Sequence, residues 1–327
     1  MNTGCGLWPI RDNLHLWTVA TARSHAMMAH WLVHYANAGV RLATHAHVTI
    51  HEDFSSSSVI HAARRVLEMH GVRDVQLLSS MDSKKLEGIK LERINAFVRG
   101  LPTDAWLIFA DIDEFFSYPC DILARLPYDK LGRRHRAVCT MMQDRLAIDG
   151  SLPRVKPQPS IFEQYSMCAK MRGLGATLIT ANPLKISLLG ARIFGGVPAY
   201  QTAHRVKIPM ERTRRNNTVH IDAKLIGGTP QAQNGCLYTG RYAHFSMTYE
   251  AFQLARRKLS DNEERSVYES TVGLSESCNT DEQDGESRPC LRLHQRAWRH
   301  ANTTRMPCQE TCTDALCIQR ARGGSSL

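Results

Sequence analysis

Two aspartates and a glutamate stand at the end of an apolar run in Trp106-Leu107-Ile108-Phe109-Ala110-Asp111-Ile112-Asp113-Glu114-Phe115-Phe116. Carboxylates two residues apart at a strand end can offer oxygens to one hard divalent cation. Mg²⁺ or Mn²⁺ held by one or two carboxylates completes its shell with water and with a substrate's phosphates. The apolar residues Trp106 to Ala110 predict a strand buried on both faces, as in parallel or mixed sheets. Ligands of open α/β sheets bind beyond the carboxyl ends of strands, which is where this one delivers Asp111, Asp113 and Glu114. A bare Asp-x-Asp is most often a solvated acidic turn. The hydrophobic residues before this one and the Glu-Phe-Phe after its first aspartates set it apart.

The residues upstream supply the frame. Leu16 to Ala20 reads as a strand. His25 to Ala38 has helical periodicity through Met28, Trp31, Leu32 and Tyr35, and closes at Gly39. His47 to His51 is a second strand ending at Glu52-Asp53. After Ser58, the residues Val59, Ile60, Ala63, Val66, Leu67 and Met69 mark a helix that stops at Gly71. Val75 to Leu78 is a third strand, and Leu86 to Val98 a third helix. This alternation predicts a parallel sheet with right-handed crossovers, wound like a nucleotide-binding fold. Ala20-Thr21-Ala22-Arg23 stands where a Gly-rich phosphate fingerprint would follow the first strand, which argues against a dinucleotide-binding Rossmann domain. Beyond Pro119 the pattern loosens: a strand over Val138 to Met142 leads to Asp144-Arg145, Lys185 to Leu189 is strand-like before the Gly-rich segment 190–196, and Glu250 to Leu259 reads as a helix with a basic flank. No internal repeats are present.

A chain of 327 residues with 43% hydrophobic content can bury a sizeable core. Its net charge of +10 and pI near 9.2 favour anionic partners. The basic clusters Arg133-Arg134-His135-Arg136 and Arg212-Thr213-Arg214-Arg215 are too short to make a nucleic-acid module, so no nucleic acid is expected. No apolar run reaches the roughly 20 residues of a membrane span, and Met1 to Arg11 lacks the pattern of a signal peptide. Of the 10 cysteines, Cys278, Cys290, Cys308, Cys312 and Cys317 crowd residues 275–327, which read as a small stapled or partly disordered extension. With the sequons at Asn216 and Asn302, they lean toward a secretory lumen, whereas a complete chain without a leader would be cytoplasmic.

Three segments together resemble a GT-A fold glycosyltransferase of the family 2 or family 92-like group. The first is Trp31-Leu32-Val33-His34-Tyr35-Ala36-Asn37-Ala38-Gly39-Val40. The second is Arg93-Ile94-Asn95-Ala96-Phe97 running into Trp106 to Phe116. The third is Tyr242-Ala243-His244-Phe245-Ser246 with Phe252 and Arg256-Arg257-Lys258. The resemblance implies a Rossmann-like mixed sheet over residues 12–265, with the Cys-rich extension outside it. It also implies transfer of a sugar from a nucleotide-diphosphate donor, a UDP- or GDP-sugar, to a hydroxyl of a glycan, protein or lipid, assisted by Mn²⁺ or Mg²⁺. Such a metal neutralises the departing diphosphate. Asp113 is the first choice as its ligand, with Asp111 reaching metal or ribose, His244 a third ligand or a diphosphate contact, and Glu114 behind them. Asp53 and Arg93 stand where donor-nucleotide contacts are implied. Lys185, His204 and Arg205 lie in family-like segments that imply donor contacts, and Lys185, Arg205 or both suit phosphate binding. An inverting enzyme needs a carboxylate base, for which Asp144 comes first and Glu163 second.

Other readings compete. A haloacid-dehalogenase-like phosphatase places Asp-x-Asp on its first strand and needs Thr or Val where Phe115 stands. A polymerase-like palm needs a second acidic strand that does not appear. A zinc site from Cys308, Cys312 and Cys317 with His294 or His300 lacks paired Cys-x-x-Cys spacing. The main non-enzyme alternative is an inactive protein of the same fold that binds a glycan or a partner.

Overall fold

A computed structural model describes residues 7–81, 83–126, 136–148, 153–168, 184–193, 196–202, 205–209, 218–226, 229–232 and 237–245. In chain order the opening elements are β1 (Leu14–Thr21), α1 (His25–Asn37), the short α2 (Leu42–His45), β2 (Ala46–His51), α3 (Ser57–Met69), β3 (Asp74–Leu78), α4 (Ser83–Gly100) and β4 (Trp106–Phe109). Then come β5 (Glu114–Phe115), α5 (Ile122–Arg125), β6 (Ala137–Leu146), α6 (Ile161–Gln164), β7 (Met167–Cys168), β8 (Leu184–Gly190), β9 (Ala199–Thr202), β10 (Arg205–Pro209), β11 (Thr218–Ile226), β12 (Thr229–Ala232) and β13 (Leu237–His244). The expected alternation of strands and helices through β4 is present.

The described residues divide between two compact units, one holding 7–141 and 184–242, the other 142–168 and 243–245. The main sheet has the order β3-β2-β1-β4-β8-β6-β13-β5. Strands β3, β2, β1 and β4 are parallel, while β8 runs antiparallel to β4 and β6 antiparallel to β8. The sheet is therefore mixed, with its parallel half at the amino-terminal end of the chain. Burial explains why β1 reads as it does. Trp17 on one face packs with Ile94 and Val98 of α4 and with Phe109, while alternation sends the buried Leu14, Leu16 and Ala20 to the other face. A strand covered on both sides is mostly apolar, and β1 is polar only at His15, Thr18 and Thr21. β4 obeys the same rule: Trp106 to Ala110 are all buried.

Gly39 ends α1 at φ 111°, a left-handed conformation only glycine adopts cheaply. Asn95 of α4 makes two bonds to one residue of β9, donating to Tyr200 O at 2.9 Å and accepting from Tyr200 N at 2.7 Å. Tyr200 in turn meets Phe109 edge-on at 5.3 Å. Cys120 and Cys139 are each disulfide-bonded. No helix of the described residues is long and apolar enough to cross a membrane.

Two expectations change. The strand read as Val138 to Met142 runs on to Leu146, so Asp144 lies within β6 and not beyond its end. Its polar Gln143-Asp144-Arg145 weakens the strand signal, but pairing of Arg145 with Cys168 of β7 extends the ladder. A second, antiparallel sheet in the order β12-β11-β10-β9 was not expected, although Val219, Ile221, Ala223 and Leu225 of β11 alternate with Thr218, His220, Asp222 and Lys224. In the smaller unit, Ser160 and Glu163 form a reciprocal capping box on α6. Phe245 packs edge-on against Phe162 and Tyr165 at 5.5 and 5.8 Å there. The expected helix over 250–259 and the Cys-rich extension lie outside the described residues.

Candidate active site

Strand order locates the crevice. The chain runs outward from β1 through β2 to β3, then crosses back to place β4 on the other side of β1. The order reverses between β1 and β4, and ligands of open α/β sheets bind outside the carboxyl ends of strands at such a reversal. Thr21-Ala22-Arg23 leaves β1 there, and Asp111-Ile112-Asp113 leaves β4.

One face of α1 holds the acidic turn in place. Trp31, His34 and Tyr35 stand three and four residues apart, so they project from the same side of the helix. Trp31 Nε1 donates to Asp111 O at 3.1 Å. Tyr35 Oη donates to Glu114 O at 3.0 Å and accepts from Phe116 N at 3.1 Å. His34 Nε2 donates to Phe116 O at 2.8 Å. The motif His34-Tyr35 thus acts on the backbone of the acidic turn, which it fixes from beneath.

The side chains above form a charge network. Lys185 Nζ, on buried β8, donates to Asp111 Oδ2 at 2.7 Å and to the Glu114 oxygens at 2.6 and 2.5 Å. Lys90 Nζ, on α4, donates to Asp111 Oδ1. Glu114 Oε2 also accepts from Asp111 N at 2.9 Å. Both carboxylate oxygens of Asp111 therefore face an ammonium group. Burial alone would raise the Asp111 pKa, but Lys185 and then Lys90 outweigh it and hold the carboxyl far below the ordinary range. Burial likewise works against the charge on Lys185, yet Asp111 and Glu114 overcome it and push its pKa up. Glu114, Lys185 and Lys90 are buried and Asp111 is partly exposed; two carboxylates balance two ammoniums, which is what allows the buried ones to lie in the interior.

A second cluster lies where β2 ends. Asp53 and Phe54 both adopt left-handed backbone, with φ of 48° and 50°. For residues other than glycine this costs about 1–3 kcal/mol each. Phe54 N donates to Ser80 Oγ at 2.8 Å, and Arg23 Nη2 to Phe54 O at 3.4 Å. Arg23 also pairs with Asp53 Oδ2 at 3.6 Å. Asp53 is thus tied to the turn after β1, at the same carboxyl edge as Asp111.

The remaining residues named from sequence are scattered. Arg93 Nη1 donates to Gln76 Oε1 at 3.1 Å, joining α4 to the middle of β3. Arg205 opens β10 and is exposed. Glu163 is exposed, and its Oε2 accepts from Ser160 N at 3.1 Å. Asp144 and His244 lie in described strands, but their side chains lie outside the described residues, as does all of His204. The structure brings together Asp111, Glu114 and Lys185, and adds Lys90. The signal for Lys90 is present in α4: Leu86, Lys90, Ile94 and Val98 form one stripe at intervals of four, so a lysine occupies an apolar line and needs a buried partner.

Asp111 and Asp113 have the oxygen chemistry a hard cation requires. Among the described residues, however, no group of three metal-ligating side chains is assembled, and Asp111 is occupied by lysines.

No family model and no curated protein matches the chain. Among solved structures, 4-diphosphocytidyl-2C-methyl-D-erythritol synthase overlaps 57% of this chain and 78% of its own, at 14% identity and a TM-score of 0.27. That overlap is too loose to support an argument about the site.

Proposed function

We propose that the crevice between β1 and β4 binds a nucleotide-diphosphate sugar and passes the sugar to an acceptor hydroxyl of a glycan, protein or lipid. The observation that carries this reading is the Lys90–Asp111–Lys185–Glu114 network at the point where strand order reverses. It sets cations and carboxylates together where an anionic nucleotide would enter an α/β sheet. Asp111 and Asp113 would hold Mn²⁺ or Mg²⁺, which when bound supplies the positive charge that a departing diphosphate needs.

The chain's own residues divide the rest of the work. Trp31, His34 and Tyr35 fix the turn that carries both aspartates, so the donor meets a preformed surface. Lys185 locks Asp111 to Glu114. Asp53, tied by Arg23, is proposed to contact the nucleoside. Arg93, Arg205, His204 and His244 keep their proposed roles as donor or metal contacts. For an inverting reaction Asp144 is the better candidate base, since the carboxylate of Glu163 is engaged in the cap of α6. Disulfides at Cys120 and Cys139 support a secretory lumen.

The occupied state of Asp111 also favours a second reading, in which the same fold binds a glycan or a partner without turnover. Calorimetry with UDP, GDP and CMP, with and without Mn²⁺, on wild type and Asp113→Ala separates the two. Metal-dependent binding of one nucleotide, lost in the variant, supports the transferase and selects the donor sugars to screen. Folded protein that binds none of the three nucleotides under any metal condition rejects it.

A further inference from the structure

Resting on the donor-binding reading above, we infer that Phe54 is the platform on which the nucleobase of the donor stacks. The ring stands in a tight turn after β2. Ser55 N donates to Glu52 O at 2.8 Å, which makes Asp53 and Phe54 the two central residues of that turn. Both have positive φ, 48° and 50°. Turns with this backbone are dominated by Gly, Asn and Asp. Asp53 conforms, whereas a residue as bulky as phenylalanine is an outlier there.

Core packing does not offset the strain. Phe54 is 73% exposed, so its ring returns little of the burial energy that a buried aromatic supplies. The turn is nonetheless fastened from both neighbouring strands. From the β3 side, Ser80 Oγ accepts from Phe54 N at 2.8 Å and Leu78 O accepts from Glu52 N at 3.0 Å. Met81 N donates to His51 Nε2 at 3.3 Å and joins the same two segments. From the β1 side, Arg23 Nη2 donates to Phe54 O at 3.4 Å. Both backbone polar groups of Phe54 are thus bonded while its ring is left outside. Strain that the surroundings over-determine is characteristic of ligand clamps and active sites.

Position names the ligand. The turn leaves the carboxyl edge of β2, which pairs in parallel with β1, and β4 pairs in parallel with β1 on its other side. The ends of β2 and β4 therefore stand two strand spacings apart, about 10 Å. A nucleoside diphosphate is elongated, with a planar ring at one end and its charge toward the other. The lysines of the Asp111 network occupy the β4 end, where the diphosphate belongs. The β2 end offers an aromatic face and a guanidinium already paired with Asp53 at 3.6 Å, a surface suited to a neutral ring. Every base has a π-face, so stacking supplies affinity for the base without reading its edge.

Titration calorimetry with UDP, GDP and pyrophosphate tests this on the full chain of wild type, Phe54→Gly and Phe54→Trp, under the condition in which wild type binds best. Glycine suits left-handed backbone, so Phe54→Gly is expected to unfold in urea at a midpoint no lower than wild type. It is expected all the same to bind the preferred nucleotide at least roughly tenfold more weakly, within the range for loss of one base stack. Pyrophosphate, which has no base, is expected to bind both proteins alike. Phe54→Trp keeps an aromatic face and is expected to keep the nucleotide affinity.

A Phe54→Gly protein with wild-type affinity for the nucleotide overturns the platform and leaves the donor-binding reading intact. An equal loss of pyrophosphate affinity overturns it as well, since Phe54 would then support the crevice as a whole. So does a urea midpoint well below wild type, which would make the ring a part of the fold. Binding of no nucleotide under any metal condition removes the donor-binding reading and the platform with it.

Discussion

Tyr35 Oη donates to the carbonyl of Glu114 at 3.0 Å while accepting the amide of Phe116 at 3.1 Å. One phenol thus satisfies a backbone acceptor and a backbone donor on either side of Phe115, in a fully buried position. Tyr35→Phe keeps the ring and removes both bonds. Each lost bond is expected to cost about 0.5–1.5 kcal/mol. Urea unfolding is expected to show a lower midpoint with an unchanged slope. Nucleotide affinity should fall as well, because the turn that carries Asp111 and Asp113 loses a support. An unchanged midpoint would show that water or a shifted backbone replaces the hydroxyl.

Lys185 is expected to matter more for folding than for binding. Its ammonium is the shared partner of Asp111 and Glu114, and Glu114 is 4% exposed. Lys185→Met leaves Glu114 buried without that cation, a loss of about 3–5 kcal/mol for a broken buried pair. Lys185→Met combined with Glu114→Gln removes the stranded charge and should recover part of the loss. Chemical denaturation of the single and double variants measures the coupling. Simple additivity would place Glu114's main partner elsewhere.

The elements around this network were readable because each obeys a local rule. Trp106 to Ala110 lack polar residues since both faces of β4 are covered. The face of α1 that carries Trp31 and Tyr35 shows as a helical stripe. The pairing of Lys90 and Lys185 with Asp111 was not readable, although Lys185 was singled out for phosphate. Its partners come from a helix before β4 and a strand far after it, brought together by sheet order and not by spacing along the chain. The extension of β6 through Asp144 escaped for the same reason, since β7 supplies the pairing. The antiparallel sheet β9 to β12 was legible in part, since Val206 and Ile208 of β10 and Val219, Ile221, Ala223 and Leu225 of β11 alternate with polar residues, a period-2 signal that had no strand assigned to it.

Gly190 is predicted to reject any side chain. A Cβ added there would lie 2.6 Å from both Cβ and Nε of Arg136. Arg136 cannot give way cheaply: it donates to Thr103 O at 2.8 Å, Asp104 O at 2.7 Å and Ala105 O at 3.0 Å, and its guanidinium lies 4.5 Å over the Trp106 ring. Gly190→Ala is expected to destabilise by about 1–3 kcal/mol, the usual scale of overpacking. Combined with Arg136→Gly, it should cost much less than alone, because the atoms it strikes are gone. A Gly190→Ala protein as stable as wild type would show that the strand shifts freely at its end.

The amino-terminal edge of the sheet sets an acid limit on stability. His15 Nδ1 lies 3.1 Å from His47 Nε2, and His47 Nδ1 lies 2.6 Å from Asp74 Oδ2. The His45 ring stands edge-on to His15 at 4.6 Å. Burial, then the neighbouring His45 and His47, lowers the His15 pKa to about 4. The unfolded chain takes up this proton near pH 6.5, and the folded chain only near the lower value. Between those values the unfolded state binds more protons, so stability is lost as pH falls through that window and is regained above it. Thermal melts at about pH 7 and about pH 5 should therefore show a drop in Tm that narrows in His15→Asn, which cannot be protonated. If the variant and the wild type lose the same amount, the acid sensitivity lies with other groups and His15 is protonated alike in both states.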